Sequence, residues 1–173
     1  LHSGVAVGND VYGGNKLSIL AIGAGNRLVL IGAGQSVGGN LKGFQTLDFS
    51  LPAATAGGST VLTVAGEADI TGVTVALGFE AAPSLNGGSK ITLIDAGAGT
   101  LTGVPANSTV SASGYTFRIE VEDSKLVATV MDEVATYTAT LNIQLDGSPS
   151  NSEATPYTLK LDGDEATAYD MTG

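Results

Sequence analysis

Apolar residues in this chain come in short runs, and several alternate strictly with polar ones. Leu47, Phe49 and Leu51 fall on one side of an extended chain, with Thr46, Asp48 and Ser50 on the other. Val73, Val75, Leu77 and Phe79 do the same against Thr74, Ala76 and Gly78. A period of two sends alternate side chains to opposite faces of a sheet, so each run predicts a strand with one buried face. The runs at 17–22, 28–31, 61–64 and 91–94 have strand length and are bounded by Gly, Asn or Ser. No segment keeps a 3.6-residue pattern over about 11 residues, so no substantial helix is predicted. The nearest helical candidate, 133–140, is rich in Thr and reads as strand.

Further along, 115–121 alternates, Glu122-Asp123-Ser124 can turn the chain, and 125–131 returns. That is the pattern of an antiparallel hairpin. Two more strands are expected at 137–145 and 157–161, with Asp146-Gly147-Ser148-Pro149 in the loop between them.

Composition narrows the architecture. Apolar residues make up 43%, but only 5% are aromatic and Trp is absent, so the core must be Val, Leu, Ile and Ala. Thin layers of that kind suit a solenoid, which needs no thick centre. Residues 1–116 hold 22 of the 25 glycines and a net charge of −2, whereas 117–173 hold three glycines and a net of −8. The shift marks two structural regimes. The tetrad Ile-Gly-Ala-Gly occurs at 22–25 and again at 31–34. The expected fold is all-β. It is read as a solenoid with glycine corners over 1–111, a capping hairpin over 112–133 and a small β module over 134–173. A hairpin there would cover the last open strands, which otherwise pair with other chains. A compact β-sandwich is the alternative.

Charge and special residues restrict function. The net charge is −10, and the seven basic residues are spread singly. Nucleic acid and anionic membrane surfaces both call for clustered Lys and Arg, so neither is an expected partner. No run of about 18 apolar residues exists, so no direct membrane insertion by a helix is expected. Cys is absent, which removes disulfides and thiolate metal sites. The chain opens on Leu1-His2-Ser3, without a Met, and reads as a piece of a longer protein.

Asp10-Val11-Tyr12-Gly13-Gly14 resembles the Val-Tyr-Gly-Gly element of very large bacterial autotransporter-like adhesins. The stretch 38–52, from Gly38-Gly39-Asn40 to Leu51-Pro52, resembles the segment that closes such repeat arrays, as do 60–64 and 68–72. Residues 88–96 are similar to a late passenger rung, and 136–173 resembles the start of an immunoglobulin-like surface repeat. The resemblance covers about 10–131. It implies a right-handed parallel β-helix, display at the cell surface or extracellularly, and an adhesive or stalk function. The implied partners are a host or bacterial surface glycan or protein and the neighbouring modules of the same polypeptide.

The search for chemistry yields no catalytic set, no cofactor site and no metal site. His2 is the only histidine and is expected to be a disordered terminal residue, so a His-containing triad has no second member. A carbohydrate-binding or polysaccharide-cleaving β-helix is the enzymatic rival. Its candidate acids are Asp48, Glu67 and Asp69, since glycoside hydrolysis needs two carboxylates facing one cleft. Glu67 and Asp69 would share a face on a strand, yet no aromatic platform accompanies them. Asp162-Gly163-Asp164-Glu165 offers oxygens to Ca²⁺ but lacks the remainder of an EF-hand loop. Glu122 and Asp123 are candidates to meet Asp132 and Glu133 across the hairpin ends.

Overall fold

The structure is a computed structural model, and it describes residues 1–14 and 25–131. The chain divides into two compact units, Leu1–Ala135 and Thr136–Gly173, and every described residue belongs to the first. The expected strands at 17–22, 137–145 and 157–161 lie outside the described residues, as do Asp132, Glu133 and Asp162 to Glu165.

The described residues are all-β, without a helix. The chain begins with β1 (Ala6–Val7) and β2 (Val11–Tyr12). Next come β3 (Arg27–Ile31), β4 (Gln35–Val37) and β5 (Leu41–Lys42). They are followed by β6 (Thr46–Leu51), β7 (Thr60–Val64) and β8 (Glu67–Asp69), then β9 (Thr74–Phe79), β10 (Lys90–Asp95) and β11 (Thr100–Thr102). The last three are β12 (Thr109–Ala112), β13 (Tyr115–Glu122) and β14 (Lys125–Val130).

Three sheets collect these strands, and the chain visits them in rotation. One has the order β3-β6-β9, a second β1-β4-β7-β10-β14-β13-β12, and the third β11-β8-β5-β2. From β4 to β11 each strand pairs in parallel with the strand three places earlier in the chain, in the same sheet. Even Leu1-His2 joins in, because His2 forms a parallel bridge with Ile31. The expectation of a disordered His2 is therefore corrected: the backbone at this terminus is held by Ile31, whose N–H donates to the Leu1 carbonyl at 2.7 Å.

Parallel register stacks like on like. Leu30 and Phe49 are register partners, and Phe49 pairs with Leu77 on its other side. Leu41, Ala68 and Leu101 form a second column. Val37 faces Val64 in a third. Phe49, Leu51, Val61, Leu62, Ile70 and Leu93 are completely buried. The layers are mostly aliphatic, but the expectation of a core of Val, Leu, Ile and Ala alone is corrected by Phe49 and Phe117, the largest fully buried side chains. One column carries an exception. Gln35 stands where the next circuits have Leu62 and Ile94; it is 1% exposed, and its Nε2 donates to the Ile31 carbonyl at 2.8 Å.

At β10 the sense of pairing changes. Its partner on one side is β7, parallel, and on the other β14, antiparallel. The alternation at 115–131 folds as the hairpin it predicts, β13 against β14. Its turn has Asp123 and Ser124 both at positive φ, 44° and 62°, a combination whose twist matches the flanking strands. Residues 113–114 close the β12–β13 connection in the same left-handed region. The inner face of this antiparallel segment meets the core. Phe117, fully buried on β13, stacks on Phe79 of β9 with ring centroids 5.8 Å apart. The Tyr115 hydroxyl donates to the Pro83 carbonyl at 3.0 Å.

Candidate functional site

One set of outward polar side chains lies on the four-stranded sheet. Its strands are only two or three residues long, set off by glycine corners. In β8 the middle residue Ala68 is buried, so Glu67 and Asp69 both point outward, sharing a face as their spacing predicts. Tyr12 stands opposite Lys42 in the register, and Asp69 opposite Thr102.

Glu67 is the centre of this group. Its carboxylate forms an ion pair with Lys42 of the preceding circuit and accepts the Thr102 hydroxyl of the following one at 3.2 Å. The Lys42 hydrogen bond holds the Glu67 carboxyl below its ordinary range, and Glu67 in turn raises the Lys42 ammonium. A carboxylate held ionised in this way is the reverse of a general acid, which needs a raised pKa. Asp69 spends one oxygen on the Thr71 N–H at 3.0 Å.

Asp48 is not part of this group. It lies on β6 of the three-stranded sheet, paired with Arg27 of β3. The three acids singled out from the sequence are thus divided between two sheets. Among the described residues, no group of three or more His, Cys, Asp or Glu is arranged to hold a metal ion.

A second polar surface covers the outside of the antiparallel segment. Lys90 of β10 pairs with Glu122 of β13 at 2.7 Å, Lys125 of β14 with Asp95 of β10 at 3.0 Å, and Arg118 with Glu120 within β13 at 2.9 Å. The Gly97 N–H, and then Lys125, hold the Asp95 carboxyl below its ordinary range. Counting both surfaces and the Arg27 pair, each described Lys or Arg has an acidic partner. Most of these pairs bind one strand to another. Among the described residues the basic side chains are therefore neutralised one by one.

The corners between sheets carry a further layer of order. Asp10 Oδ1 accepts the Asn40 N–H at 2.7 Å, and Asn40 Oδ1 accepts the Glu67 N–H at 2.8 Å. At another corner the Asn26 N–H donates to Gln45 Oε1 at 2.6 Å, while its carboxamide reaches the carbonyls of Gly13 and Gly43. Sequence reasoning missed Lys42, Thr102 and these amides. Their partners are separated by 13 to 35 residues, and only the offset between circuits reveals them. Comparisons with protein-family models, curated proteins and solved structures match nothing to this chain.

Proposed function

We propose that residues 1–131 are the closed end of a right-handed parallel β-helix, serving as a non-enzymatic structural or adhesive module of a bacterial cell-surface or extracellular protein. The observation that carries this reading is the change of pairing sense at β10. Up to that strand each circuit lies parallel on the last, and beyond it three antiparallel strands follow in the same sheet. A β-helix can grow only while an edge remains open to the next parallel strand. An antiparallel segment covering that edge ends the stack and guards it against foreign strands. The resemblance to autotransporter-like adhesin passengers adds the surface setting, with glycans, surface proteins or neighbouring modules as partners.

The chemistry of the outward faces supports a mechanical task. Cross-strand ion pairs and corner amides tie one circuit to the next, which stiffens the stack along its length. Electron microscopy of the protein within its native polypeptide tests the stalk: a rod ending near this segment is expected, and a compact globular particle overturns it. A glycan array with a reducing-sugar assay addresses the enzymatic rival. Cleavage that is lost in Asp69→Asn would replace the structural reading with an enzymatic one.

A further inference from the structure

Two corners of the stack are built alike and differ in one side chain. Ala56-Gly57-Gly58-Ser59 leads into β7, and Asn86-Gly87-Gly88-Ser89 leads into β10. In each, the serine N–H donates to the carbonyl of the first residue, Ser59 to Ala56 at 3.2 Å and Ser89 to Asn86 at 3.0 Å. The second glycine has positive φ in both, 85° at Gly58 and 76° at Gly88. This is a β-turn that favours glycine at its third residue. Ala56 fills the first position without a polar side chain, so the turn does not call for the Asn86 carboxamide.

Asn86 and Gly87 are both exposed. The Asn86 backbone is held on both sides, its N–H by Ser89 Oγ at 3.1 Å and its carbonyl by the Ser89 N–H. Among the described residues, neither its carboxamide nor the Gly87 N–H has a hydrogen-bond partner. Other asparagines are engaged. Asn26 reaches the Gly13 and Gly43 carbonyls, Asn40 Oδ1 accepts the Glu67 N–H, and Asn107 Oδ1 accepts the Val75 N–H at 2.8 Å. Asn86 is also the one asparagine of the chain followed by glycine. No side chain on residue 87 shields its backbone nitrogen from Asn86 Cγ.

We propose that Asn86 is a site of spontaneous covalent modification in the folded chain, converted through a succinimide to aspartate and isoaspartate. The Gly87 nitrogen bonds to Asn86 Cγ and gives up its proton, and Nδ2 leaves as ammonia. Water then opens the ring. Breaking the bond from nitrogen to Cγ leaves aspartate. Breaking the bond to the former Asn86 carbonyl carbon leaves isoaspartate, whose main chain runs through Cβ and Cγ. The second product lengthens the corner by one carbon and turns the acceptor of the Ser89 N–H into a carboxylate. The seam with β14 lies beside it. The Gly88 N–H donates to the Val130 carbonyl at 2.9 Å, and the Val130 N–H to the Ser89 carbonyl at 2.8 Å. Conversion at Asn86 therefore loosens the point where the last circuit meets the antiparallel segment.

The test is peptide-mapping mass spectrometry of the full chain aged at neutral and at mildly alkaline pH, with an isoaspartate-specific methyltransferase to label that product. Asn86 is expected to convert to both acids, faster at the higher pH and faster than Asn26, Asn40 and Asn107. Gly87 lies outside the positive-φ region, so Gly87→Ala keeps the turn. Its Cβ hinders the attack, and conversion should slow on the order of tenfold. An Asn86 that converts no faster than the three bound asparagines, or only in denaturant, overturns the proposal. So does a Gly87→Ala rate equal to the parent's. Hydrogen exchange reads the consequence, with Asn86→Ala as the chain that cannot convert. The aged parent should lose amide protection at Gly88 and Val130 while Asn86→Ala keeps it. Equal protection in the two overturns the link to the seam.

Discussion

The Asn40 side chain accepts the backbone N–H of Glu67, 27 residues further along, at 2.8 Å, while the Asn40 N–H is bound by Asp10 at 2.7 Å. One residue at a corner thus links three successive circuits. Asn40→Ala leaves the Glu67 N–H without its acceptor, and a partly buried donor orphaned in this way costs about 1–3 kcal/mol. Chemical denaturation should show a loss of that size with an unchanged m-value. Asn40→Asp keeps the acceptor but sets a second carboxylate beside Asp10, so its deficit should shrink as pH falls toward 4.

The same corner explains a glycine. A Cβ on Gly66 would lie 2.6 Å from the Gly39 carbonyl oxygen, in the circuit before. Backbone cannot yield as a side chain does, so Gly66→Ala must push two circuits apart. Overpacking of this kind costs about 1–3 kcal/mol. Gly78→Ala is the control, since its Cβ meets open space. Thermal unfolding should show a clear loss for the first and little change for the second. Equal effects would contradict the close approach.

Phe49 is wholly buried between Leu30 and Leu77 in the inward column of the three-stranded sheet. Phe49→Ala should cost about 3–5 kcal/mol, the usual range for a buried aromatic truncation. A loss under about 1 kcal/mol would mean that this column is not close-packed.

Acid should weaken the protein through two carboxyls. Glu67 and Asp95 both have folded pKa values lowered from their ordinary 4.5 and 3.8. Their contribution is present above those values and is lost as pH falls through the lower folded ones. Lys42 is raised from 10.5, so its share holds below that value and is lost as pH rises beyond it. The melting temperature should drop from pH 5 to pH 2. The drop should be shallower in Glu67→Gln with Asp95→Asn and in high salt, which screens exposed pairs. An identical slope in the double variant would rule these carboxyls out.

The strands that alternate over five or more residues were legible from the sequence. Thr46–Leu51 appears with the expected faces, and Tyr115–Glu122 with Lys125–Val130 makes the expected hairpin. The strands of the four-stranded sheet were not legible. Val11–Tyr12 and Leu41–Lys42 are two residues long, too short for any period to register. They exist because the corners on either side fix their direction. Glu67 and Asp69 were found as outward neighbours, but Lys42 and Thr102 were not. The offsets between circuits vary: Leu28 to Leu47 is shorter than Leu47 to Val75. A variable offset hides the repeat and with it the cross-circuit partners. Asn107 carries no local signal, because the backbone groups its carboxamide bonds belong to Val75, 32 residues earlier.

The central claim is that the antiparallel segment closes the stack through β14 on β10. Hydrogen exchange in the full chain carrying Ala128→Pro tests it most directly. Ala128 is fully buried and is the register partner of Ile91 on β10 and Ile119 on β13. Proline there removes a ladder donor from a central strand. Loss of amide protection in β10, extending back into β7, is the predicted result. Unchanged protection of β10 and β7 would contradict the account.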